Sequence, residues 1–173
     1  MPRTEDIGEP MVNSGDRDPV AVARSAFLSG DVERAKRMAD MSISTDPLRQ
    51  DAWILKGRAL VCRLDHAGAK ECYKQALEID EGNGEAWKRM AFAHRLNGEF
   101  EDAIGCWKKA LELDPHDTRT LNDVASTLDE MGEFEQANVY YERTLEVIPD
   151  DPFASENIRL NRRILDRLAE SKN

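Results

Sequence analysis

The chain is short of aromatic residues, which fill only 6% of its 173 positions, and β-branched residues are sparse beside Ala, Leu, Glu, Lys and Arg. That balance argues against a β-rich fold and for helices. Long apolar runs are missing too: no window approaches the roughly 18 uninterrupted apolar residues of a spanning helix, so no membrane partner is expected. The opening MPRTEDIGEPMVNSG has no apolar run after its Arg, so residues 1–15 read as a flexible tail and not as a secretory signal. Cysteine is scarce and odd in number, with Cys62, Cys72 and Cys106 outside any C-x-x-C arrangement. A disulfide framework is thereby disfavoured, and a reducing cytoplasmic setting expected. Positive charge is in deficit, with a formal net charge of −10 at pH 7. Such a chain repels phosphate at long range, so nucleic acid is not expected as a partner.

Catalytic signatures are lacking as well. There is no G-x-x-x-x-G-K followed by Ser or Thr, and no G-x-G-x-x-G loop, so no nucleotide cofactor is expected. His94 and His116 have no Ser or Cys partner in sequence. Cys62 and His66 stand four apart, but a turn expected near Leu64 separates them, so no metal site is expected there. Cys72 and Cys106 recur at one spacing and read as core filling. No catalytic residue is assigned, and the chain reads as a non-enzyme.

What the chain does have is a period. GEFEDA at 98–103 returns as GEFEQA at 132–137, 34 residues later. Blocks of that length from Asp16 align 16–49, 50–83, 84–117 and 118–151 without a gap. Fourth positions read Pro19, Trp53, Trp87 and Leu121; eighth positions are the small Ala23, Gly57, Ala91 and Ala125. Fifteenth positions read Gly30, Leu64, Gly98 and Gly132, and twentieth positions Ala35, Ala69, Ala103 and Ala137. Twenty-fourth positions read Ala39, Tyr73, Trp107 and Tyr141; thirty-second positions read Pro47, Glu81, Pro115 and Pro149. Small residues at two of these columns let a pair of helices approach, and large ones beside them fill the remaining space. Gly permits the turn between the helices, and Pro stops the second. Acids after that Gly, such as Glu99 and Glu133, suit the positive end of the second helix. GEFE is therefore a turn and a helix start, stated twice.

This pattern resembles the tetratricopeptide repeat over the four units. The resemblance implies an all-α solenoid, a right-handed superhelix of about four helix-turn-helix units, whose first helices line a concave groove. Unit 50–83 departs at Leu64 and Glu81, and unit 16–49 lacks both large aromatics. Asp151 and Pro152 then suit a further helix start. The segment 152–170 resembles the capping helix that closes such arrays.

Proteins of this family usually bind a protein or peptide segment in the groove. Taking the second, fifth, sixth, ninth, twelfth and thirteenth positions as groove-facing selects Arg17, Val20, Arg24 and Phe27 from unit one, and Ile54, Leu55 and Arg58 from unit two. Unit three supplies Glu85, Lys88, Arg89, Phe92 and Arg95, while unit four offers Arg119 and Asn122 against Asp123, Asp129 and Glu130. The candidate binding set is Arg24, Ile54, Arg58, Lys88, Arg89, Phe92, Arg95 and Asn122, for a segment carrying acids near the third repeat. The same charges also fit a solvated face that pairs with its own neighbours. The family's carboxylate clamp for chaperone tails is not supported. It needs Lys then Asn at the fifth and ninth positions of one repeat, Asn at the sixth of the next, and Lys with Arg at the second and sixth of the third. Starting at unit one gives Val20, Arg24, Leu55, Glu85 and Arg89; starting at unit two gives Ile54, Arg58, Arg89, Arg119 and Asp123.

On the last helix Ala154, Ile158, Leu165 and Leu168 are expected to face the fourth repeat, leaving Phe153, Leu160 and Ile164 at the end of the groove. That apolar stripe suggests an alternative role as a self-associating scaffold, a homo-oligomer built through this helix and the terminal repeats.

Overall fold

A computed structural model describes residues 18–171. The tail expected over 1–15 and the groove residue Arg17 lie outside the described residues. Among the described residues nine α-helices follow one another: α1 Pro19–Leu28, α2 Val32–Thr45, α3 Gln50–Cys62, α4 His66–Ile79, α5 Gly84–Leu96, α6 Phe100–Leu113, α7 Thr118–Glu130, α8 Phe134–Val147 and α9 Pro152–Glu170. No strand interrupts them among the described residues.

Each helix packs on the next in the chain, and α1 also reaches α3 while α3 reaches α5. Every other helix thus forms an inner layer, and the array is an α-solenoid of helix pairs closed by α9. The repeated small residues sit where the helices of each pair approach: Ala23, Ala35, Ala69, Ala91, Ala103, Ala125 and Ala137 expose nothing to solvent. At Gly57 a Cβ would lie 2.5 Å from the ring of Tyr73, so Gly there is a requirement of packing. The large residues of the twenty-fourth column, Tyr73, Trp107 and Tyr141, are all buried.

Turns within the pairs use left-handed backbone at Gly30, Gly98 and Gly132. Leu64 adopts it as well, at φ 62°, with its side chain largely in water. The turn therefore survives the loss of Gly, carrying the strain of a Cβ in that conformation.

A second repeated device stitches one pair to the next. The indole of Trp53 donates to the carbonyl of Pro47, and that of Trp87 to the carbonyl of Glu81, each at 2.8 Å. Both rings are accordingly only half-buried, whereas Trp107 is sealed in the core. Polar side chains reinforce these junctions. Arg49 grips Asp18, the N-cap of α1, through two bonds of 2.7 and 2.6 Å. Asn83 donates to Gln50 at 2.6 Å.

The last helix buries Ala154 and Ile158 as expected, but Leu168 is exposed and Leu165 half-buried. Asn161 takes the third buried place, donating to Asp129 at 2.7 Å and to Asn138 at 3.1 Å. Asp129 also accepts from the Tyr141 hydroxyl at 2.8 Å, so α9 is docked by a satisfied polar network as well as by apolar contact. Cys72 and Cys106 are core residues whose thiols burial pushes up to about 11, leaving them inert as nucleophiles.

Candidate functional site

The inner layer of α1, α3, α5 and α7 presents the groove. Two residues assigned to it from the sequence are not there. Val20 and Leu55 are buried, packed together with Ala23, Ala39 and Ala52. Helix α1 is rolled onto α3, which turns these positions into the seam between first helices. Ile54 is half-buried for a similar reason, packed against the clusters around Tyr73 and Ala86.

The groove cations divide into two classes. Lys88 bonds Asp117 at 3.0 Å across the repeat junction and lies 3.6 Å from Glu85. Burial works against its charge, but these two acids outweigh that and hold its pKa above the ordinary value. Arg89 bonds Glu85 at 2.6 Å, Arg95 pairs with Glu130, and Arg24 lies 3.5 Å from Asp51. Four of the five basic residues in the expected set thus lie within ion-pair distance of an acid, although Arg24 shares Asp51 with Arg49.

Arg58 does not. Its guanidinium lies 4.2 Å from the ring centre of Phe27 and has no carboxylate within ion-pair distance among the described residues. Burial, and then the nearby charge of Arg89, make its cationic form less favourable than usual.

A pocket of about 170 Å³ is lined by Glu85 and Arg89, whose charges act on Arg58, and by Lys88, Phe92, Arg119 and Asp123. Phe92 is 41% exposed, a large aromatic left in water at the middle of the groove. Arg119 is without a side-chain partner among the described residues, and so is Asp123, whose carboxyl burial pushes above the ordinary range. Asn122 accepts from the Thr144 hydroxyl at 2.9 Å and so is partly committed to its own helix pair. Arg119 and Asp123 are functional candidates that the expected set omitted. Their signal was present in the groove positions of unit four, as a reversal of charge.

Beyond this unit Phe153 and Leu160 are about half exposed, while Ile164 is partly covered. The ring of Phe153 stands edge-on to Tyr141 with centroids 6.0 Å apart.

One further cluster converges at the turn before α6, where His94 Nδ1, Glu99 and Asp102 bring ligand atoms within 4.8 Å of one another. The ammonium of Lys70 already bonds both oxygens of Glu99, and His94 approaches it at 2.5 Å. Lys70, Asn97 and His94 together hold the Glu99 carboxyl down to about 2. The cation that this cluster holds is a side chain, and it joins two helix pairs.

With this geometry in view, models of the tetratricopeptide repeat match residues 50–83, 84–117 and 118–148. The chain belongs to the tetratricopeptide-repeat family. This repeat protein superposes on MamA with a TM-score of 0.76 at 21% identity, over 84% of this chain and 79% of that one. It matches YrrB, described as a TPR protein with an unusual peptide-binding site, with a TM-score of 0.73 at 19% identity, over 86% and 76%. The first TPR of Spaghetti (RPAP3), bound to the HSP90 peptide SRMEEVD, gives 0.63 at 21% identity, over 68% and 94%. At such identities these likenesses speak for the fold alone. No curated protein matches the sequence. No helix among the described residues is long and apolar enough to cross a membrane. As a member of this family, the protein is a protein–protein interaction module.

Proposed function

We propose that this repeat protein is a non-enzymatic adapter, or assembly scaffold, that holds a protein segment bearing acidic side chains in the groove of α1, α3, α5 and α7. One observation carries the reading: Arg58, partly desolvated, lacks an acid of its own and lies within the electrostatic reach of Glu85 and Arg89, which line the Phe92 pocket. An uncompensated cation next to exposed aromatic surface gains from a ligand carboxylate more than a surface cation already paired does. Peptide binding by structural relatives, YrrB and the SRMEEVD complex, is in keeping with this use of the fold. The free cysteines suit a reducing compartment, and we place the protein in the cytoplasm. The test compares partners retained by the wild-type protein with those of Arg58→Glu and Phe92→Ala, both checked for helicity. Selective loss of a partner from both variants supports groove binding; identical partners on all three overturn it.

A second reading has its own observation, the exposed stripe of Phe153, Leu160 and Leu168 on α9. A second copy of the chain covering it makes the protein a self-associating scaffold. Sedimentation equilibrium decides: a mass that rises with concentration and falls back in Leu160→Glu supports it, and a monomer at every concentration removes it.

A further inference from the structure

The groove changes character along its length, and the change is set by which charges remain unpaired. Toward α3 the uncompensated group is the Arg58 guanidinium over Phe27. In the middle stands Phe92, apolar and exposed. Toward α7 the uncompensated acid is Asp123, which lines the same pocket as Phe92 with no cation within ion-pair distance among the described residues. Arg119, Arg95 and Lys88 face Asp123 from farther off, and Asp117 faces it as a second acid. Lys88 and Arg95 are spent on Asp117 and Glu130, while Arg119, four residues before Asp123 on α7, lines the same pocket without an ion-pair partner and is the nearest counter-charge Asp123 has. Burial raises the affinity of Asp123 for a proton, the behaviour of a carboxylate that lacks a donor.

Resting on the groove-binding reading above, we infer that the groove selects a segment by the order of its charges: an acidic side chain against Arg58, an apolar side chain on Phe92, and a basic side chain against Asp123. The partner is thus a dipolar segment and not a uniformly acidic one. A second acid placed against Asp123 would be repelled by it, whereas a basic side chain there would be attracted, so the Asp123 contact itself tells the two orders apart.

The experiment uses the whole chain and short end-blocked peptides that hold one Asp, one Leu and one Lys in every order, with binding read by calorimetry or fluorescence anisotropy. For the preferred order, Lys is exchanged for norleucine, and each peptide is titrated against wild type and Asp123→Asn. The expected result is that norleucine weakens binding about tenfold in wild type and much less in Asp123→Asn, as a charge-assisted contact requires. Asp-to-Asn in the peptide should couple in the same way to Arg58→Gln. Binding that ignores charge order, or a norleucine penalty equal in both proteins, overturns the inference and leaves groove binding standing. No binding by any peptide overturns both. Circular dichroism on the two polar, surface-compatible variants separates loss of contact from loss of fold.

Discussion

The first and fourth helix pairs share one spacing and are held together by different means. Between α7 and α8 the large Tyr141 fills the gap beside Ala125 and belongs to a cluster that runs from Ala91 in α5 to Ile158 in α9. Between α1 and α2 the corresponding residues are Ala23 and Ala39, and the cluster is a small one with Val20, Ala52 and Leu55. Polar contacts compensate in part, through the grip of Arg49 on Asp18. Helix α1 is also shorter, with 10 residues against the 13 of α7, because Asp18 caps it and Pro19 occupies its first turn. In a solenoid each pair is stabilised by itself and its neighbours, so the first pair, with the smaller core, opens first.

The sharpest way to break this comparison is to empty the larger core. Trp107→Ala removes a fully buried ring and should cost about 3–5 kcal/mol, read by urea denaturation. A cost below about 1 kcal/mol would show that the α5–α8 core does not dominate. Next in size is Gly57→Ala, which drives a methyl into the Tyr73 ring and should destabilise by about 1–3 kcal/mol. Native-state hydrogen exchange sharpens the comparison directly: amides of α1 should exchange through a smaller opening than those of α7, and equal protection would refute the gradient. Leu64→Gly runs the other way. Relieving the left-handed turn should stabilise by about 1 kcal/mol and raise Tm by a few degrees.

The smallest expected effect depends on pH. The folded carboxyl of Asp123 keeps its proton to higher pH than the unfolded one, whose ordinary value is 3.8. Stability contributed at this residue therefore declines as pH rises from 3.8 through the raised folded value. Asp123→Asn should melt slightly higher than wild type at pH 7, with the gain vanishing below pH 3.8. A gain of the same size at both pH values would mean that the charge is not its source.

The repeat was legible because spacing alone carries it: Ala35, Ala69, Ala103 and Ala137 recur without a gap and are buried without exception. Leu64 was legible as a departure, though not as a residue that would take the left-handed turn regardless. The groove was legible only in part. Burial of Val20 and Leu55 depends on how far α1 rolls onto α3, a rotation that no column of the alignment records. Nor does the sequence show which cations are spent. Lys88 meets Asp117 and Arg95 meets Glu130 across a repeat junction, so each pairing is a product of stacking. Arg58 looks no different from them in sequence, and its isolation emerges only when its neighbours have found partners.

The indole stitches also make the molecule its own spectroscopic ruler. Of the three tryptophans, Trp53 touches the junction after the first pair, Trp87 the next junction, and Trp107 the sealed core beyond it. Keeping one indole and replacing the others by Phe would give emission that reports the wetting of a single, known interface. Unravelling from the first pair would then appear as three transitions in chain order, timed by colour.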